Sequence, residues 1–181
     1  MMKADRYEAL ARMLDYPNDK STLQTDCEAV ATSMDNSEAK ATLDSFGCFT
    51  DASSLAELQE DYVATFDFNP ATAPYLGHHL YGDNQKKGAY MIALKQQFAH
   101  FGYSPAGHEL PDHLSVLLGF LAHLSRHEKD ADRQLIIADY MLPGVKRMTT
   151  AFADRQESPW KALIETAEFL CAEECKEAQS C

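Results

Sequence analysis

Apolar residues recur every three or four positions along most of the chain, which is the spacing that places them on one face of an α-helix. Stretches with this pattern cover residues 7–14, 23–34, 37–46, 55–66, 89–99, 114–124, 135–142 and 160–170. No stretch alternates apolar and polar residues over the length of a strand, and β-branched residues are few. We therefore expect an all-α, single-domain helical bundle of about seven to nine helices.

Capping and turn residues predict where several of these helices begin and end. Ser54 and Glu57 have the spacing of a capping box, in which each side chain accepts a hydrogen bond from the backbone amide of the other. Gly47 and the pair at 143–144, Pro and Gly, predict helix ends. A serine and a proline at 158–159 predict the start of the last helix.

The stretch 68–83 differs from its neighbours because it contains two prolines, two glycines, several aromatic residues and two histidines. This composition predicts an ordered aromatic loop with at most one short turn of helix. The stretch 114–124 is apolar on most sides and predicts a central, largely buried helix.

The chain of 181 residues carries 16 Lys and Arg against 28 Asp and Glu, giving a net charge of −12. This charge opposes binding to nucleic acid and to anionic membrane surfaces. Nine acids and one base, Lys40, lie between Asp26 and Asp61, so this region holds −8 of the total. Solvated helix faces account for such a cluster; alternatively, an acidic surface there attracts a basic peptide.

The first residues include acids and form no apolar signal segment, and no run of 18 apolar residues occurs. We expect a cytoplasmic protein without membrane insertion. The chain has no glycine-rich phosphate loop and no G-x-S-x-G motif, so enzymatic function has little support. No resident cofactor or metal is expected.

A second hypothesis is a metal- or redox-responsive helical protein. Its candidate ligands are His78 and His79, which are adjacent, and Cys171, Cys175 and Cys181 near the C-terminus. Residues 171–181 are predicted to form a polar tail after a helical domain of residues 1–170. Five cysteines are an odd number in a chain that needs no disulfides to fold, which favours free thiols.

Several segments in order resemble the NarJ branch of the TorD/DmsD/NarJ chaperones. The segments are LQEDYVATFDF at 58–68, YLGHHLYGD at 75–83, KKG at 86–88 and ELPDHL at 109–114. The opening residues 14–17, LDYP, also fit, so the resemblance covers about residues 5–125. Many members have Glu where Gly119 stands, so that carboxylate is missing from this chain.

The resemblance implies an all-helical cytoplasmic chaperone that is not an enzyme. Its partner would be the catalytic subunit of a nitrate-reductase-like molybdenum oxidoreductase, held until the molybdenum cofactor is inserted, with the chaperone a monomer or a homodimer. The resemblance predicts a groove for the N-terminal peptide of that subunit. The expected binding residues are Tyr62, Phe66, Asp67, Tyr75, His78, Tyr81, Asp112, His113 and Leu117. A simple capping role at the start of the central helix is an alternative for Asp112 and His113.

Overall fold

Ten α-helices account for most of the residues that the computed structural model describes, which are 1–153 and 158–179. The helices are α1 Lys3–Met13, α2 Lys20–Thr32, α3 Ser37–Ala52, α4 Leu55–Tyr62, α5 Leu76–Tyr81, α6 Gln85–His100, α7 Leu114–Arg126, α8 Asp130–Ile136, α9 Leu142–Ala151 and α10 Lys161–Gln179. A π-helical segment, Val63–Asp67, continues α4, and another, Ile137–Met141, joins α8 to α9. If each α-helix is counted together with the π-helical segment that continues it, the described ranges contain nine uninterrupted helices. This confirms the all-α prediction.

Helix α7 lies at the centre of the bundle, as its apolar composition predicts. Nine of its 13 residues are buried. It packs along α1, which also contacts α2, while α10 crosses α3 and α9. Within the described ranges, no helix is both long enough and apolar enough to span a bilayer.

An aromatic cluster fixes one end of the bundle around the fully buried Trp160, which precedes α10. The rings of Phe46 and Tyr62 each lie with their centroids 5.2 Å from that of Trp160, and Phe66 lies at 5.9 Å. Edge-to-face contacts of this kind add to the free energy of burying the rings. The cluster joins α3, α4 with its π-helical continuation, and the residue that precedes α10.

A buried ionic network fixes the other end of α10. The guanidinium of Arg133 on α8 donates to Glu174 Oε2 at 2.9 Å, and both residues are buried. The Tyr7 hydroxyl on α1 donates to Glu174 Oε1 at 3.2 Å, and Lys3 Nζ lies 3.1 Å from the same oxygen. Helices α1 and α8 are therefore both tied to one carboxylate of α10.

The helix ends follow the sequence predictions only in part. The capping box is confirmed, since the amide and hydroxyl of Ser54 each lie 2.7 Å from a Glu57 carboxylate oxygen and Ser54 Oγ accepts from the Glu57 amide. The prediction of a stop at Gly47 is wrong, because α3 continues to Ala52 and buries Thr50 beyond it. A glycine inside a helix costs only about 1 kcal/mol relative to alanine, which the packing of this helix outweighs.

Three further predicted boundaries differ from the structure. Pro143 does not end a helix, because it stands at the start of α9, directly after the π-helical segment Ile137–Met141. Helix α10 begins at Lys161, whose amide donates to the Ser158 carbonyl at 3.2 Å. The helix also passes through the predicted tail boundary at residue 171, because Cys171 and Glu174 face the interior.

Gly119 on α7 leaves space for the hydroxyl of Tyr103. An added Cβ at 119 would lie 2.6 Å from Tyr103 Oη, whereas Tyr103 Cζ is at 3.7 Å, an ordinary contact. We expect Gly119→Ala to destabilise the protein by about 1 kcal/mol and to become stabilising in a Tyr103→Phe background, where helix propensity alone acts. A double-mutant cycle of urea unfolding measures this coupling; strictly additive effects would contradict it.

Candidate functional site

Two chain segments that are far apart in sequence are joined beside the start of α7. The Leu76 amide donates to the Asp112 carbonyl at 2.9 Å, and the Leu114 amide donates to the Pro74 carbonyl at 2.8 Å. This short antiparallel bridge places Tyr75 beside His113, with ring centroids 5.1 Å apart. The loop after α4 is thereby held against the central helix.

Asp112 is fully buried and supports α5. Its Oδ2 accepts a hydrogen bond from the Gly77 amide at 3.0 Å, while Oδ1 is buried without a hydrogen-bond partner. Burial raises the pKa of the Asp112 carboxyl, and the bond from Gly77 opposes this shift. A Cβ at position 77 would come within 2.7 Å of Oδ2, so glycine is needed for this approach.

His113 is the N-cap of α7, in agreement with one of its two predicted roles. Its Nδ1 accepts from the Ser115 amide at 3.2 Å and lies 2.8 Å from Ser115 Oγ. Burial lowers the pKa of His113, against the opposing effect of nearby carboxylates that include Glu109, Asp15 and Asp67. The predicted capping role at the start of α7 therefore belongs to His113. The Asp112 side chain instead accepts a hydrogen bond from the first turn of α5.

Exposed apolar side chains adjoin this buried frame. Phe68 is 82% exposed, Leu110 48% and Tyr16 42%. The ring of Tyr16 lies 5.7 Å from that of Tyr62, and the Tyr75 hydroxyl donates to Glu109 Oε2 at 2.7 Å. We call this surface the Tyr75 face; its members are Asp15, Tyr16, Asp67, Phe68, Tyr75, Glu109 and Leu110.

The predicted binding residues do not form one groove. Tyr62, Phe66 and Leu117 are core side chains, with exposures of 5%, 1% and 0%. The Tyr62 hydroxyl is bonded to the Leu14 carbonyl at 3.0 Å. These three side chains are therefore inaccessible to a peptide, and the rings of Tyr62 and Phe66 pack against Trp160.

The other predicted binding residues fall into two groups. Asp67 and Tyr75 belong to the Tyr75 face. His78 and Tyr81 are half-buried on α5, where Tyr81 packs against Tyr90 of α6 with centroids 5.7 Å apart. The structure therefore brings only part of the predicted set together.

Sequence reasoning did not single out Phe68, Glu109, Leu110, Asp15 or Tyr16 as binding residues. The spacing of the two phenylalanines was a usable signal for Phe68. Because Phe68 lies two residues after the buried Phe66, it falls on a different side of the helical turn and is expected to be exposed. The remaining four occur in the family-like segments at 14–17 and 109–114.

The residues of the metal and redox hypothesis are dispersed. The rings of His78 and His79 lie 5.7 Å apart, and His79 Nε2 lies 2.8 Å from the Ala73 carbonyl oxygen. Cys171 is fully buried, which raises the pKa of its thiol and disfavours the thiolate that metals bind. Among the described residues, no three His, Cys, Asp or Glu are placed to hold a metal ion, and Cys181 lies outside those residues.

Comparison with known proteins agrees with this architecture. The family model "Nitrate reductase delta subunit" matches residues 28–164. The "Probable nitrate reductase molybdenum cofactor assembly chaperone NarJ" of Bacillus subtilis (strain 168) is 30% identical over 117 residues, covering 64% of each chain. The "Nitrate reductase molybdenum cofactor assembly chaperone NarJ" of Escherichia coli (strain K12) is 32% identical over 124 residues, covering 66% of this chain and 52% of that protein.

A solved structure shows the same fold. The crystal structure of a candidate redox enzyme maturation protein from Archaeoglobus fulgidus superposes with a TM-score of 0.56 and 18% identity, over 97% of this chain and 93% of the other. The matched regions span less than two thirds of either curated NarJ protein. Because the family model nevertheless covers well over half of the present sequence, the chain belongs to the nitrate reductase delta subunit family, the family of the NarJ proteins.

Proposed function

We propose that this protein is a cytoplasmic assembly chaperone and not an enzyme. Its partner is the catalytic subunit of a nitrate-reductase-like molybdenum oxidoreductase, and it assists insertion of the molybdenum cofactor. Family membership and the names of its relatives support this role. The observation that assigns this role to particular residues is the Tyr75 face, which is exposed and contains aromatic and acidic side chains.

The Tyr75 face suits an amphipathic helical peptide. An exposed phenylalanine loses water contact when a partner covers it, and this favours association. Asp15, Asp67 and Glu109 supply negative charge around these side chains, so basic residues in the peptide are favoured. We propose that the N-terminal peptide of the catalytic subunit binds here.

The frame beneath the face limits the entropy lost on binding. Tyr75 and His113 are held by the two hydrogen bonds of the bridge, and Asp112 holds the start of α5. A surface that is already ordered loses less conformational freedom when a partner binds.

Several of the acids between residues 26 and 61 have partners within the protein. Asp26 pairs with Arg12 at 2.6 Å, Asp44 pairs with Lys40 at 2.7 Å, and Glu57 belongs to the capping box. The attraction for a basic peptide is therefore assigned to the acids of the Tyr75 face rather than to this region.

Calorimetric titration with the N-terminal peptide of the catalytic subunit tests this function. We expect Leu110→Ala to weaken binding about tenfold, since it removes an apolar contact of the face. Affinity should also fall as salt is added, because exposed carboxylates are screened. The matched control is Ile92→Ala, which truncates a 60% exposed aliphatic side chain on α6, outside the face. Absence of binding to both the peptide and the intact apo-subunit would refute the proposal.

A further inference from the structure

Helix α6 has one side in the core and the opposite side in solvent. Its buried residues Tyr90, Leu94 and Phe98 share the inner side. On the outer side Ile92 is 60% exposed, and the residues one turn before and after it are exposed as well. We call this surface the Ile92 face; its members are Gly88, Ala89, Ile92, Lys95, Gln96 and Ala99.

The family-like segment KKG at 86–88 begins beside this face and lies outside the Tyr75 face. Lys86 is exposed, whereas the stem of Lys87 packs inward, with its Cγ 3.3 Å from where a Cβ on Gly77 would stand. Gly88 is exposed, and a Cβ added to it would meet no described atom within 4 Å. The backbone of α6 is therefore open to a side chain of another molecule at Gly88, next to a free lysine.

Helix α6 is basic within an acidic protein. Its 16 residues include three lysines and no Asp or Glu, whereas the whole chain has a net charge of −12. Neither Lys86 nor Lys95 takes part in an ion pair among the described residues. Lys86 and Lys87 also stand in the first turn of the helix, where the helix dipole favours acids over bases. The positive charge of α6 is thus left for a partner outside the chain.

The charge of the rest of the chain limits what this partner can be. An anionic membrane or a second copy of this chain extends beyond α6, so it would also meet the acidic remainder of the protein and be repelled. A single helix packed along α6 meets only the side chains of α6. A short acidic segment is therefore the occupant that this charge distribution favours.

We propose that the Ile92 face binds an acidic amphipathic helix of a protein partner. An apolar side chain of that helix covers Ile92, and its neighbour lies against the backbone at Gly88. Glu or Asp side chains beside them pair with Lys86 and Lys95, which are about 14 Å apart along the helix axis. The exposed isoleucine accounts for the apolar contact, and the unpaired lysines account for the acids.

The probe is a blocked helical peptide with leucines along one side and glutamates beside them, titrated into the ¹⁵N-labelled full chain. We expect amide shifts at residues 85–99. Read from those amides, the affinity should be about tenfold lower for a peptide with lysine in place of glutamate. Shifts confined to the Tyr75 face, or equal affinities for the two peptides at α6, would overturn the proposal.

A pair of lysine variants separates the charge of α6 from the charge of the whole chain. Lys95→Glu should weaken binding of the glutamate peptide about tenfold. Lys129→Glu makes the same change at an exposed lysine before α8 and should leave the affinity within about twofold of the wild type, because solvent and salt screen distant charges. An unchanged affinity in Lys95→Glu, or an equal loss in both variants, would contradict the inference.

A pair of aliphatic variants separates this site from the Tyr75 face. Ile92→Ala should weaken binding of the glutamate peptide about tenfold, whereas Leu110→Ala should leave that affinity unchanged. Sedimentation of the full chain tests the alternative occupant: self-association that Ile92→Ala abolishes would assign the face to a second copy and overturn the acidic helix. Tighter binding to phosphatidylglycerol vesicles than to the peptide would overturn it as well.

Discussion

Phe66→Ala is expected to destabilise the protein by about 3–5 kcal/mol, the usual cost of removing a buried phenylalanine ring. Phe66 is 1% exposed, and its ring centroid lies 4.9 Å from that of Tyr62 and 6.2 Å from that of Phe152. The substitution leaves a cavity between α4 and the start of α10. Urea unfolding followed by circular dichroism measures the loss.

Phe68→Ala is the matched control, because it makes the same change two residues away at an 82% exposed position. Its stability should stay within about 0.5 kcal/mol of the wild type, while its affinity for the catalytic-subunit peptide falls. If Phe66→Ala instead stays stable and only loses binding, the assignment of Phe66 to the core is wrong.

Glu174→Ala is expected to cost about 3–5 kcal/mol, because it leaves the buried guanidinium of Arg133 without its carboxylate. Arg133 is 1% exposed, and its other acidic partner, Asp130, is mostly in solvent. The substitution also removes the acceptor of the Tyr7 hydroxyl. Thermal and urea unfolding both measure the effect.

Two variants separate the buried pair from the exposed part of this network. Lys3→Ala removes an exposed partner of Glu174 and should change stability by no more than about 1 kcal/mol. The double variant Arg133→Met with Glu174→Leu should recover most of the loss, since an apolar pair of similar volume needs no compensating charge. A Glu174→Ala variant no less stable than Lys3→Ala would contradict the role of the buried pair.

The features that could be predicted from the sequence depend on residues that are close together along the chain. Helical periodicity identifies the all-α class and the central position of α7, because it reports which side of each helix is apolar. The capping box of Ser54 and Glu57 involves residues three apart and was found for the same reason. The predicted helix end at Gly47 was wrong because the tertiary packing of α3 outweighs the low helix propensity of glycine. The predicted helix end at Pro143 was wrong because this proline stands at the start of α9.

The candidate site could be predicted only in part, because its members meet through contacts between distant segments. The bond from Gly77 to Asp112 spans 35 residues, and nothing near Asp112 in the sequence indicates that its carboxylate caps α5 rather than α7. The family motif containing Tyr62 and Phe66 identifies a segment but not which of its side chains face solvent. Their burial depends on Trp160, almost 100 residues later.

The carboxylate of Glu174 also affects the order in which the chain acquires its structure. Tyr7 and Glu174 are 167 residues apart, so α1 leaves the ribosome long before the helix that completes its surroundings. Contacts between such distant segments form late, since the long loop between them must close first. Trp160, immediately before the same helix, packs against Tyr62, whose ring also contacts Tyr16 of the Tyr75 face. A nascent chain in which α10 has not yet been made would therefore lack this support beneath the Tyr75 face.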